Sequence, residues 1–240
     1  WPYPVAALLA LGGFALANAN REDYPWLRRT GAVVLVTASA LIYQPNSLLY
    51  LVGIAAVLPV LRGQPPLARL RWVGVHLVIV AAGLAVAFLI MKLSYVAGVF
   101  TASNRIAFEA DPVGKLGWFL REPLLNALNL LVLNDDGGAT RTMYTVSAWI
   151  TALLLAAGLG VEGWRRGGWA GGFWLLLLAI LLPTALVANL AAAERFATYR
   201  TIFALTAVVL IFLTLSWQNL CSLAGRAGRI IEVSGYAILL

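Results

Sequence analysis

The sequence predicts an all-α, polytopic membrane helix bundle of about seven transmembrane helices, and three observations predict it. Of the 240 residues, 62% are hydrophobic, against about 45–50% in soluble domains, and mean hydropathy is +0.87. The apolar residues fall in runs at about 3–19, 30–43, 47–61, 72–94, 142–160, 171–191 and 201–217, several as long as the roughly 20 residues a spanning helix needs. None of the runs alternates with the period of two that marks a membrane barrel.

Charge orders these runs. If each one crosses, the segments 19–29, 62–71, 161–170 and 218–232 share one side and carry ten arginines against four acids. The segments 44–46, 95–141 and 192–200 share the other, with six basic and six acidic residues. Cytoplasmic loops are the ones enriched in Lys and Arg, so the first side is expected inside and the second outside. The same asymmetry accounts for the net charge of +7 without a nucleic-acid partner.

In chain order, the first run opens at Trp1-Pro2-Tyr3-Pro4 with no positively charged leader, and no signal peptide is expected there. The last residues, Ile238-Leu239-Leu240, enter another apolar stretch, so the chain is expected to be a piece of a longer protein. Residues 30–62 are too many for one upright helix and few for two. The stretch "LIYQPNSLLY" (41–50) predicts two short helices turning at Gln44-Pro45-Asn46, since proline removes a donor and biases Gln44 away from helix. One long kinked helix is the alternative. In lipid either form must face protein or a water-filled cavity. In the run 72–94, His76 reads as a packing residue and Lys92 as a snorkelling one.

The outer loop 95–141 contains "VGKLGWFLREPLLNALNLLVL" (113–133), which predicts two short interfacial helices. Pro123 suits the first turn of the second. Asp135 and Asp136 have no further ligand set beside them, and with a single histidine and a single cysteine, Cys221, no metal, cofactor or internal disulfide is expected. Residues 1–217 are therefore expected to form the bundle, and 218–240 a cytoplasmic amphipathic tail, expected to be truncated.

Chemistry gathers on the outer side. Arg105, Lys115, Arg195 and Arg200 are candidate phosphate ligands, because a guanidinium fork suits phosphate oxygens and lysine adds a point charge. Tyr43, Gln44 and Tyr199 are candidate lining groups. Asp111 and Glu194 are the outer carboxylates that could serve as a catalytic base. Headgroup anchoring and surface ion pairing account for the same residues without a substrate.

Three blocks then add a family. "IYQPNSLLYL" (42–51), "NRIAFEADPVGKLGWFLREPLLNALNL" (104–130) and "FATYRTIFAL" (196–205) together resemble the phage-type O-antigen glucosyltransferases, the glucosyltransferase-II family. The resemblance covers most of the chain, and the middle block is its most specific part. It implies a type-C glycosyltransferase of the bacterial inner membrane. Such an enzyme transfers glucose from a polyprenyl-phosphate donor to an O-antigen glycan on the periplasmic side. In type-C enzymes the catalytic acid generally lies in a first outer loop near the N-terminus, and no such loop is present within this chain, which looks like a C-terminal portion of such an enzyme. The main catalytic acid is therefore expected outside this chain. A non-catalytic subunit packed against membrane-protein partners, a flippase for lipid-linked sugars and an O-antigen polymerase remain alternatives.

Overall fold

A computed structural model of the chain describes residues 2–19, 24–100, 107–130, 140–225, 228–229 and 232. Among the described residues there are ten α-helices: α1 (Pro2–Asn18), α2 (Pro25–Ser47), α3 (Tyr50–Val57), α4 (Pro66–Val96), α5 (Pro112–Arg121), α6 (Pro123–Leu128), α7 (Thr140–Arg166), α8 (Gly168–Thr184), α9 (Val187–Ala191) and α10 (Phe203–Cys221). Prolines open α1, α2, α4, α5 and α6, where the missing N–H is one the helix could not have used.

Among the described residues, three helices are long and apolar enough to cross a membrane, α4, α7 and α10, and a fourth span arises if the bent pair α2 and α3 is taken as one. That is the number of spans the helices support, against the seven expected. The difference is one of length. At about 1.5 Å per residue, the 17-residue helices α1 and α8 reach only about 25 Å, and α3, with eight residues, about 12 Å, short of a core about 30 Å thick.

Hydrogen bonds between helices fix the packing. Asn46 Nδ2 donates to the Tyr3 carbonyl at 2.9 Å and Ser39 Oγ to the Ala6 carbonyl at 2.7 Å, so α1 lies antiparallel to α2. Thr37 Oγ1 reaches the Gly83 carbonyl of α4 at 3.2 Å. Ser216 Oγ and Asn219 Nδ2 of α10 reach the Leu155 and Gly158 carbonyls of α7 at 3.3 and 3.2 Å. The helix ends consequently sort into two groups. Tyr3, Tyr43, Asn46, Tyr144 and the 192–202 connection lie at one end. Asn18, Trp72, Arg165 and Ser222 lie at the other, where Trp72 Nε1 donates to Asn18 Oδ1 and Arg165 Nη1 to Ser222 Oγ.

The break in residues 30–62 lies close to where the sequence placed it, but is not a hairpin. Helix α2 is broken at Tyr43, which is extended (φ −159°, ψ 101°), and residues 44–47 form a short helical piece beyond the break. It then turns 70° into α3. Backbone bonds from Leu48 to Pro45 and from Leu49 to Asn46 carry the chain round the corner. Ser47 Oγ donates to the Gln44 carbonyl at 2.6 Å, and Asn46 ties the corner to α1. The polar residues of this motif thus satisfy backbone groups that lipid could not.

Helix α3 is wedged between α1 and α10 and is wholly apolar apart from the Tyr50 hydroxyl. That hydroxyl is 2.7 Å from His76 Nδ1, inside an aromatic cage completed by Phe14 and Trp72. Both residues are buried, in keeping with a packing role for His76. Tyr50→Phe is expected to lower stability by about 1–2 kcal/mol, because His76 Nδ1 loses its partner in an apolar site. Thermal unfolding of the purified variant checks this, and an unchanged midpoint would mean that the bond contributes nothing.

Candidate functional site

Two polar clusters and one cavity occupy the end of the bundle that carries the 192–202 connection. The first cluster is built on α5. Asp111 caps that helix, its Oδ1 accepting from the Gly114 N–H at 2.9 Å, while its own N–H donates to Glu109 Oε1. One turn on, Lys115 is 1% exposed. Its Nζ donates to the Ala192 and Glu194 carbonyls at 2.7 and 2.8 Å, lies 3.8 Å from Glu109 Oε2, and sits 4.5 Å from the centre of the Trp118 ring. Burial holds its ammonium below the ordinary lysine value; Glu109 opposes that shift and Arg195 adds to it.

Lys115 therefore acts on the chain itself. Residues 107–109 and 191–193 pair across an antiparallel bridge, Phe108 opposite Ala192, with backbone bonds from Glu109 to Ala191 and from Ala193 to Ala107. The lysine holds the same connection from beneath. Arg195 and Asp111 converge on α5: a Cβ at Gly114 would touch Asp111 Oδ2 and stand 3.4 Å from Arg195 Nη2. Glu194 is exposed and offers its carbonyl to Lys115.

The second cluster is aromatic. Arg200 Nε donates to the Tyr199 hydroxyl at 2.9 Å and its guanidinium stands 5.3 Å from that ring's centre. The hydrogen bond to Tyr199 raises the Arg200 value further, keeping it charged. Tyr43 and Tyr3 lie within electrostatic range of Arg200, and their own rings meet edge to face at 4.6 Å. The sequence singled out Tyr43, Tyr199 and Arg200; Tyr3, on the first turn of α1, is the member it missed.

Beside these clusters, a cavity of about 840 Å³ opens between α2, α4, α9 and the bridge. Its walls are apolar, chiefly Leu84, Phe88 and Met91 facing Val187 and Ala191, and its polar members are Gln44, Lys92 and Tyr95. Phe108 of the bridge stacks near Phe88 at 5.4 Å and closes one side. Of the expected site residues, the structure places Gln44 in the cavity and divides Asp111, Lys115, Glu194 and Arg195 from Tyr43, Tyr199 and Arg200. Arg105, like Asp135 and Asp136, lies outside the described residues. Lys92 and Tyr95 were missed as site residues; the signal was a lone cation inside an apolar run, four residues short of the helix end.

Among the described residues no group of three or more His, Cys, Asp or Glu side chains is placed to hold a metal ion. Two short helices, α5 and α6, occupy the stretch where two were expected. They are joined to the bundle by the Tyr144 hydroxyl, which donates to Asn126 Oδ1.

Fold and site together define an α-helical chain of membrane-spanning character with a polar mouth at one end and an apolar cavity beside it. Comparison with protein-family models, curated proteins and solved structures finds no match.

Proposed function

We propose that the chain is the membrane part of a glycosyltransferase of the bacterial inner membrane. In this reading it transfers a sugar, glucose by resemblance, from a polyprenyl-phosphate donor to an O-antigen or other cell-surface glycan on the periplasmic side. The observation that carries the reading is the junction of an apolar cavity with a polar lip at one end of the bundle. A lipid-linked sugar needs apolar walls for its chain and cations and hydroxyls for its head. Arg200 is charged, exposed and flanked by tyrosines, which suits a sugar phosphate arriving from the outer face.

A second reading, a non-catalytic subunit of a larger membrane complex, is favoured by the state of the carboxylates. Asp111 is engaged as a helix cap, Glu109 faces Lys115, and Glu122 accepts from Trp118 Nε1 at 2.8 Å. A base for the acceptor hydroxyl would then come from another part of the protein or from a partner.

The test supplies radiolabelled polyprenyl-phosphate glucose and an O-antigen acceptor to the full-length protein in lipid. Label in the glycan supports the transferase. Its absence across sugar donors, with partners present, moves the reading to the subunit. Arg200→Ala is expected to weaken donor affinity tenfold or more without altering the unfolding midpoint, because the side chain is exposed. Unchanged affinity in the folded variant rules Arg200 out as a ligand.

A further inference from the structure

Lys115, the expected lysine ligand for phosphate, spends two of its three donors on backbone carbonyls and faces Glu109 with the charge that remains. The other lysine is Lys92. It lines the cavity, is exposed, and no carboxylate among the described residues pairs with it. Its depth follows from helix geometry. Arg71, in the first turns of α4, and Lys92 are separated by about 31 Å of helix at about 1.5 Å per residue, close to the roughly 30 Å of a hydrocarbon core. With Arg71 and Trp72 at one face of the membrane, Lys92 stands at headgroup level on the other.

At headgroup level the exposed Lys92 ammonium stays solvated, and because the same residue lines the cavity it is placed to meet the anionic head of a ligand whose apolar part lies within. At about 840 Å³ the cavity is in the range of ligand sites, roughly 300–1,000 Å³, and Gln44 and Tyr95, near the ends of α2 and α4, join Lys92 in its lining. The rest of the lining is alkyl and aromatic. A ligand complementary to this arrangement has one anionic, hydrogen-bond-accepting head and a long hydrocarbon chain. Resting on the lipid-linked substrate proposed above, we infer that Lys92 receives the phosphate of a long-chain lipid monophosphate whose chain lies in the cavity, with Gln44 and Tyr95 beside the head. The bridge held by Lys115 forms one wall, so Lys115 positions the site and does not touch the ligand.

The full chain in phosphatidylcholine nanodiscs tests this with two probes, undecaprenyl phosphate and its uncharged alcohol, undecaprenol. The phosphate is expected to bind at least tenfold tighter than the alcohol. Lys92→Met is expected to remove that preference and Lys92→Arg to keep it. No preference in the wild type, or a preference unchanged in a Lys92→Met variant that unfolds at the wild-type temperature, overturns the inference. So does equal competition by phosphatidylglycerol, which would make Lys92 a general headgroup anchor. The two proposals fail separately. Phosphate preference without sugar transfer in any combination sinks the transferase and leaves this site standing. Transfer with unaltered donor KM in Lys92→Met sinks the site and leaves the transferase.

Discussion

Lys115→Met is expected to lower the stability of the folded chain by about 3 kcal/mol, the cost of removing a buried, charge-assisted donor and leaving its acceptors behind. Two carbonyls, those of Ala192 and Glu194, lose their donor, and Glu109 loses its partner. Methionine replaces most of the apolar stem over Trp118, so packing changes little and polar satisfaction carries the effect. Unfolding in detergent, followed by the near-ultraviolet signal of the tryptophans, measures it. A change below about 1 kcal/mol would mean that water enters and takes over the carbonyls.

The pH dependence has a definite sign. Because burial depresses the Lys115 value in the folded chain, that chain releases this proton at lower pH than the unfolded chain does. Between the folded value and the ordinary 10.5 the unfolded chain binds more protons, and stability rises with pH. Below that window the contribution is flat. The rise is expected in the wild type and absent in Lys115→Met, which separates it from the titration of tyrosines common to both.

How much of this was legible in the sequence depends on the range of the interaction. The apolar, helical character of the runs follows from composition, and the break near Pro45 follows from one missing N–H. These are properties of neighbouring residues. The length of each crossing was less legible. The run 47–61 is apolar after Ser47, yet beyond the end of α2 only Tyr50–Val57 is α-helical, because the corner at Leu48–Leu49 and the turn after Val57 take the rest. The role of Lys115 was not legible. A lysine in an amphipathic helix reads as a solvent-facing cation, and what neutralises it is the backbone of a segment 77 and 79 residues away. The cavity has the same character: the chain brings residues 40–44, 84–95, 107–108 and 187–192 together, and in sequence most of them are alanine, valine or leucine with no chemical signal. Gln44 and Lys92 stood out, the one as a candidate lining group and the other only as a snorkelling lysine, and their common setting could be read only after the walls were in place.

Gly158→Val is expected to cost about 3 kcal/mol, at the upper end for overpacking, because the contact it violates is backbone to backbone. A Cβ at Gly158 would overlap the Cα, Cβ and carbonyl oxygen of Ser216. A flexible side chain could swing aside; a helix backbone can yield only by moving the whole of α10. The same approach brings Asn219 Nδ2 to the Gly158 carbonyl and Ser216 Oγ to the Leu155 carbonyl, so separating the helices loses these bonds together with the packing that small residues permit. Gly160, two residues on, has nothing within 4 Å of its would-be Cβ. Gly160→Val is therefore expected to change stability by less than about 0.5 kcal/mol, although both substitutions alter helix propensity alike. Equal losses in the two variants would assign the effect to propensity instead of contact. The consequence reaches the polar mouth, since α10 begins just after Arg200 and α7 begins beside Tyr144, which holds Asn126. On the proposed transferase reading, a Gly158 variant that remains folded is expected to lose donor binding along with stability, through displacement of Arg200, whereas Gly160→Val keeps both.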